Sequence, residues 1–334
     1  MDNQTHGKGS VTAALLGNTF VTVMKAAVFF ATGSASMFAE ATHSFADTLN
    51  QSLLLIGIKR SKKPADDVHG YGYGIERFFW SLISACGILF IGSGITIYHS
   101  VDSLMTRHVT HASFNVVSIV ILMVAFVIEG ATLLMALKEM QKGRALSKRM
   151  FRDADPVFLA VIYEDGAAVL GVFIAIIAQW MAYITGDVGY DAAGGIVVGL
   201  ILGILAIVLI MKNHQYIIGK PLNREVTQKI IKSLLKDPCI EQVLEFKSVA
   251  IDIGKYRIFT TVEWNGSPLY EEIYEAGDLQ REYDAIRDDF GEFARLMFRT
   301  TDRIPRLVGN HIDKVEKKIV EKFPQVVYVD IEIN

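Results

Sequence analysis

The stretch Glu40–Asn50, EATHSFADTLN, lies between two apolar runs, VTVMKAAVFFATGSASMFA before it and SLLLIGI after it. An α-helix turns about 100° per residue, so His43 and Asp47 stand on one face, one turn apart. Neutral imidazole and carboxylate are the donors that zinc and neighbouring divalent metals accept, at about 2.0–2.2 Å. Glu40 and Asn50 sit three residues outside the pair and fall near the same stripe. A charge at this depth of a membrane helix costs at least a few kcal/mol, roughly, so four polar side chains on one stripe call for a reason. Two readings remain open: half of a metal site, or an interhelical hydrogen-bond network.

One helix supplies two ligands, and a closed shell needs donors from a second element. The other paired carboxylates deep in the chain are Glu164 and Asp165, within PVFLAVIYEDGAAVLGVFI. Being adjacent, they diverge by about 100°. Gly166 and Ala168 beside them are small enough for close helix packing. Asn18, Lys25 and Glu129 are further polar residues in apolar surroundings, suited to an aqueous path or to pairing with one another. Asp191 opens an apolar run, where an acidic residue suits a helix N-terminus, and that capping role is the expectation for it.

The elements that must hold these groups follow from composition. The chain has 334 residues, 51% hydrophobic and 21% charged, and its mean hydropathy is positive. Its first two-thirds carries apolar runs of roughly 20 residues, the length that crosses a bilayer core of about 30 Å. Six spans are expected, at about 11–33, 36–58, 76–99, 114–137, 156–183 and 188–212. Lys59, Arg60, Lys62 and Lys63 follow the second, and Lys138, Lys142, Arg144, Lys148, Arg149 and Arg152 follow the fourth. The opposite loops hold only Arg107. By the positive-inside rule both ends of the chain are cytoplasmic. MDNQTHGKGS does not resemble a signal peptide and no A-x-A-like site follows, so the first apolar run reads as a retained helix. Cys86 and Cys239 have no metal-ligand spacing and read as thiols packed as small hydrophobes. A net charge of −3 gives no support for nucleic-acid binding.

After Pro221 the pattern changes. NREVTQKIIKSLLKDP has helical periodicity, EQVLEFKSVAID and YRIFTTVEW read as strands, and LVGNHIDKVEKKIVEKF reads as a second helix before the strand VVYVDIEI. A charged helical stretch at about 267–305 interrupts the order, giving αββ…αβ with an insertion.

HSFAD on span two with an acidic residue on span five resembles the cation diffusion facilitators. SASMFAEATHSFADTLNQSLLLIG, HGYGYGIERFFWSLIS and EDGAAVLGV are similar to the zinc transporter nine branch, whose eukaryotic members are mitochondrial. The resemblance implies an α-helical integral membrane protein with six transmembrane helices and a C-terminal cytoplasmic, metallochaperone-like αββαβ domain that dimerises. The expected limits are a tail at 1–10, a transport domain at 11–212, a linker at 213–222 and the cytoplasmic domain at 223–334. The family's transport site then falls on His43, Asp47 and Asp165, while its remaining position falls on Val161, which binds no metal. Glu164 is the first candidate for the fourth ligand, a water the second and Glu40 the third. A second family site falls on Asp66, His69 and Tyr73, and tyrosine is a poor zinc ligand. The family's cytoplasmic sites fall near Leu244, Glu263, Asp330 and Glu332, which argues against a binuclear zinc clamp there.

The implied function is secondary transport of a divalent metal out of the cytoplasm in exchange for protons, with no catalytic residue and no resident cofactor. Histidine with carboxylates favours zinc, and cobalt, iron, cadmium and nickel accept similar ligands. The expected partners are the metal, protons, the bilayer and a second copy, in a bacterial inner membrane. The rival reading is a membrane metal sensor or scaffold that binds without transport. A membrane metallohydrolase would want an HExxH-like helix, and the sequence has none.

Overall fold

The structure, a computed structural model, describes residues 6–106, 116–141, 156–268 and 278–334, and side chains within 18–106, 117–138 (except 136), 162–268 and 280–334. Arg107, the basic loop from Lys142 to Arg152, part of the 267–305 stretch and the side chain of Val161 lie outside those residues. The chain divides into two compact units. One is Met1–Pro64 with Glu76–Gln215, and the other is Ala65–Ile75 with Tyr216–Asn334.

The first unit is helical. Helix α1 (His6–Thr32) ends at Gly33, whose φ of 66° supplies the left-handed residue that closes a helix. Ser34 then caps α2 (Ala35–Ser61), its hydroxyl accepting from the Met37 amide. Helix α3 (Glu76–Gly87), a π-helical segment (Ile88–Ile95) and α4 (Thr96–Thr106) follow without a gap. Next come α5 (Val116–Gln141), α6 (Pro156–Thr185) and α7 (Gly189–Ile217).

Four of these stretches are long and apolar enough to cross a membrane: Glu76–Thr106, Val117–Met135, Ile162–Thr185 and Gly189–Ile217. Asn18–Thr32 is apolar but shorter, and α2 has the length but carries the polar stripe. Helices outrun the apolar runs that announce them, α4 to Thr106 and α7 to Ile217, because hydropathy marks the hydrocarbon layer and not the backbone hydrogen bonds beyond it. Helix α7 packs through glycine: a Cβ on Gly195, Gly199 or Gly203 would collide with Ser100, Ile97 or Ser93.

The C-terminal unit holds α8 (Arg224–Leu234), β1 (Ile240–Asp252), β2 (Lys255–Trp264), α9 (Asp278–Ile286), α10 (Phe290–Lys322) and β3 (Val326–Ile333). The sheet order is β1-β2-β3, with β1 antiparallel and β3 parallel to β2. Ile230 and Leu234 of α8 and Val315 and Ile319 of α10 close over Ile240, Ile258, Val262 and Val326. Helix α10 runs 33 residues and passes Pro305, so the helix expected from Leu307 begins 17 residues earlier. Its distal half is in phase with the sheet. Its first half leaves Phe290, Phe293, Met297 and Ile304 exposed. The loop 65–75 belongs to this unit. Tyr71 stacks under the Arg257 guanidinium at 4.4 Å and edge-on to Tyr328, and Arg257 pairs with Asp330 at 2.8 Å.

Candidate metal site

Helix α2 brings His43 Nε2 to 3.4 Å from Asp47 Oδ2, as the four-residue spacing requires. His43 is 2% exposed, and neither ring nitrogen has a hydrogen-bond partner. Buried imidazole nitrogens are normally satisfied, so an orphaned pair marks a place for an ion or water.

Glu164 and Asp165 flank the buried stripe of α6 formed by Ala168, Val172 and Ala175, one on either side, as a 100° step dictates. Glu164 Oε1 accepts from Asn50 Nδ2 at 3.1 Å, and Asn50 Oδ1 accepts from Ser84 Oγ at 2.8 Å. That chain joins α6 to α2 and α3 just below Asp47. The four expected ligands do not yet form one shell. Among the described residues, no three of them have donor atoms all within 4.8 Å.

The rest of the polar stripe has other partners. Glu40 accepts from Lys25 at 2.9 Å, and Lys25 also reaches Glu129 at 3.0 Å, joining α2, α1 and α5 in one buried cluster. Asn50 holds Glu164. Of the two small residues expected to allow close packing, Ala168 is buried while Gly166 faces open space, and a further close approach occurs at Gly171, where a Cβ would stand 2.6 Å from Glu40 Oε1. Gly171 is in phase with the buried stripe, and Gly166 is not.

Asp191 corrects an expectation. It caps α2 rather than its own helix, accepting from the Ala35 amide at 2.6 Å, from Ser34 Oγ at 2.9 Å and from Ser36 Oγ. Gln179 of α6 donates to both serines at 3.2 Å and accepts from Ser118 of α5. Sequence shows an acid at a helix start, and only packing shows which helix start it serves.

In the loop after α2, Asp66 accepts from the His69 and Val68 amides and from the Tyr73 hydroxyl at 2.7 Å, and His69 stacks on Tyr73. The carboxylate is thus occupied in shaping the turn.

A family profile described as the cation efflux transmembrane domain matches residues 11–218. The chain is 34% identical over 342 residues to metal tolerance protein C4 of Arabidopsis thaliana, covering 99% of this chain and 74% of that one. It is 34% identical over 309 residues to the human mitochondrial proton-coupled zinc antiporter SLC30A9, covering 90% of this chain and 54% of the human one. The chain therefore spans about half the length of that relative. A shorter match, 39% over 89 residues, covers 26% of this chain and 27% of the magnetosome protein MamM of Paramagnetospirillum magneticum. A helical membrane unit, a buried histidine one turn from an aspartate and these matches lead to one conclusion: the chain belongs to the cation diffusion facilitator family, on its SLC30A9-like branch.

Proposed function

We propose that this protein is a secondary transporter that exports a divalent metal, zinc foremost, from the cytoplasm in exchange for protons by alternating access. The observation that carries the reading is the His43 imidazole, buried with both nitrogens unpartnered beside Asp47. The names of the relatives, a proton-coupled zinc antiporter and a metal tolerance protein, support metal as cargo.

In this reading His43 and Asp47 of α2 hold the ion with Asp165 and Glu164 of α6. Glu164 takes the place left open by Val161, and Asn50 orients its carboxylate from behind. The ion draws the two helices' donors into one shell. Binding requires neutral imidazole and ionised carboxylates, so protons and metal compete for the same atoms. Imidazole titrates near 6.5 when unperturbed, which places the exchange within reach of ordinary pH gradients.

The helices α1, α2, α3–α4, α5, α6 and α7 then form six spans. Lys59, Arg60, Lys62 and Lys63 put the end of α2 and both chain termini in the cytoplasm. The C-terminal unit acts as the metallochaperone-like dimerisation domain, and a bacterial inner membrane is the setting.

The test is zinc flux with simultaneous pH recording in proteoliposomes. His43→Ala and Asp47→Ala abolish both signals while the protein remains monodisperse, and Glu164→Gln lowers zinc affinity. Normal proton-coupled flux in the first two overturns the assignment. Stoichiometric zinc binding without flux in the unaltered protein turns it into a sensor. An unaffected Glu164→Gln removes Glu164 from the shell.

A further inference from the structure

The C-terminal unit contains a second constellation that the membrane site does not use. Asp237, Cys239 and His311 each offer one donor atom, and these atoms all lie within 4.8 Å of one another. Cys239 is 1% exposed, and the side chains of His311 and Asp237 are 16% and 13% exposed. His311 Nε2 stands 2.8 Å from Asp237 Oδ1, while its Nδ1 is buried with no hydrogen-bond partner.

The local fold fixes all three positions. Asp237 and Cys239 lie in the turn from α8 into β1, where the Asp237 carboxylate accepts from the Cys239 amide at 3.1 Å. The Leu234 carbonyl accepts from the Asp237 amide and the Asp237 carbonyl from the Ile240 amide, and the Cys239 carbonyl accepts from Asn265 on the far side of β2. His311 projects from α10 one turn before Val315, which is anchored in the core. The edge-on ring of Trp264, 5.5 Å away at 84°, covers the imidazole. A hydrogen-bonded turn and a core-anchored helix thus hold the donors in place, with an aromatic ring over the imidazole, as a preorganised site needs.

We propose that Asp237, Cys239 and His311 form a metal-binding station for zinc or a similar thiophilic divalent ion, separate from the membrane helices. Thiolate, imidazole and carboxylate are a zinc donor set. With bonds of about 2.0–2.3 Å, donors sharing one ion stand roughly 3.3–3.8 Å apart, so donors already within 4.8 Å of one another need only a small approach to share one. Binding displaces the thiol proton of Cys239 into solvent, and the thiolate becomes the ligand. Three protein ligands leave a fourth position for water, as in open zinc sites. The station ties the start of β1 to the middle of α10. It uses none of Leu244, Glu263, Asp330 and Glu332, where the family's cytoplasmic ligands would fall.

Cobalt titration of the full chain in detergent, under a non-thiol reductant, reads this site alone, because the proposed membrane ligands contain no sulfur. The expected result is a thiolate-to-cobalt charge-transfer band that saturates at one equivalent and survives in the His43→Ala/Asp47→Ala variant. Cys239→Ser abolishes the band. His311→Gln weakens cobalt binding by about 100-fold, at or beyond the 10–100-fold typical of losing an outer-shell partner. The sequence has two cysteines, so Cys86→Ser provides the complementary assignment if Cys239→Ser does not fold. Absence of the band in the unaltered protein, its persistence in Cys239→Ser, or its loss in Cys86→Ser overturns the proposal. Any of these outcomes would leave a hydrogen-bonded His–Asp pair beside a packed thiol. Zinc flux is read separately and does not depend on this result.

Discussion

The helical unit and the C-terminal unit manage charge in opposite ways. In the helices Lys25 is wholly buried and faces Glu40 and Glu129 from two other helices. In the C-terminal unit the pairs Arg306–Asp302, Arg295–Glu292 and Lys247–Glu245 lie at the surface, each with both side chains substantially exposed. Exposed pairs contribute about 0–1 kcal/mol, whereas breaking one side of a buried pair costs about 3–5 kcal/mol. The membrane helices therefore depend on compensation between helices, and the C-terminal unit depends on its aliphatic core.

The largest expected effect tests the buried cluster. Lys25→Met strands the fully buried Glu40 and leaves the part-buried Glu129 without its partner, and costs about 3–5 kcal/mol, seen as a collapse of monodisperse yield and of the thermal midpoint. The triple change Lys25→Met, Glu40→Gln and Glu129→Gln restores both, because no uncompensated charge remains. Failure of that rescue would mean that the cluster acts through packing alone. Next comes the C-terminal core. Ile258→Ala, at the centre of β2 and fully buried, lowers the stability of this unit by about 2–5 kcal/mol in denaturant titration.

The smallest effect is a pH dependence. Partial burial raises Glu316 above the ordinary carboxylate range, even though its carboxylate accepts from the Ile331 amide. The folded state therefore holds that proton more tightly than the unfolded state does. Its contribution is fully present below the ordinary glutamate pKa and is lost as pH rises through the elevated folded value. Glu316→Gln should flatten stability against pH across that weakly acidic window and leave other regions unchanged. An unaltered slope would assign the dependence to Asp313 or Asp330, the neighbouring acids.

The same contrast explains what the sequence disclosed. His43 and Asp47 are four residues apart on one helix, so rotation per residue alone predicts their contact. Lys25 and Glu129 are 104 residues apart, and His311 and Asp237 are 74 apart. No local period encodes such pairs. The two strands and the closing strand were legible from alternation, and α8 from its apolar spacing. Continuity of α10 through Pro305 was not, because proline reads locally as a break. Gly166 looked like the close-packing residue because it follows Asp165, and helical phase gave that role to Gly171. Cys239 looked inert for a similar reason: its histidine lies 72 residues away.

Asp191 has a mechanical consequence. Its carboxylate rivets the first turn of α2 to the first turn of α7, with one amide and two hydroxyls in its grip. Sliding α2 alone would strand that buried carboxylate and its three donors together, so this contact couples the starts of the two helices. His43 and Asp47 ride on α2, while Glu164 and Asp165 ride on α6, which meets the α2–α7 pair at this end through the bonds from Gln179 and through Ala178 packed against Gly194. In the proposed reading, an ion held by all four residues adds a link between α2 and α6 that its departure removes.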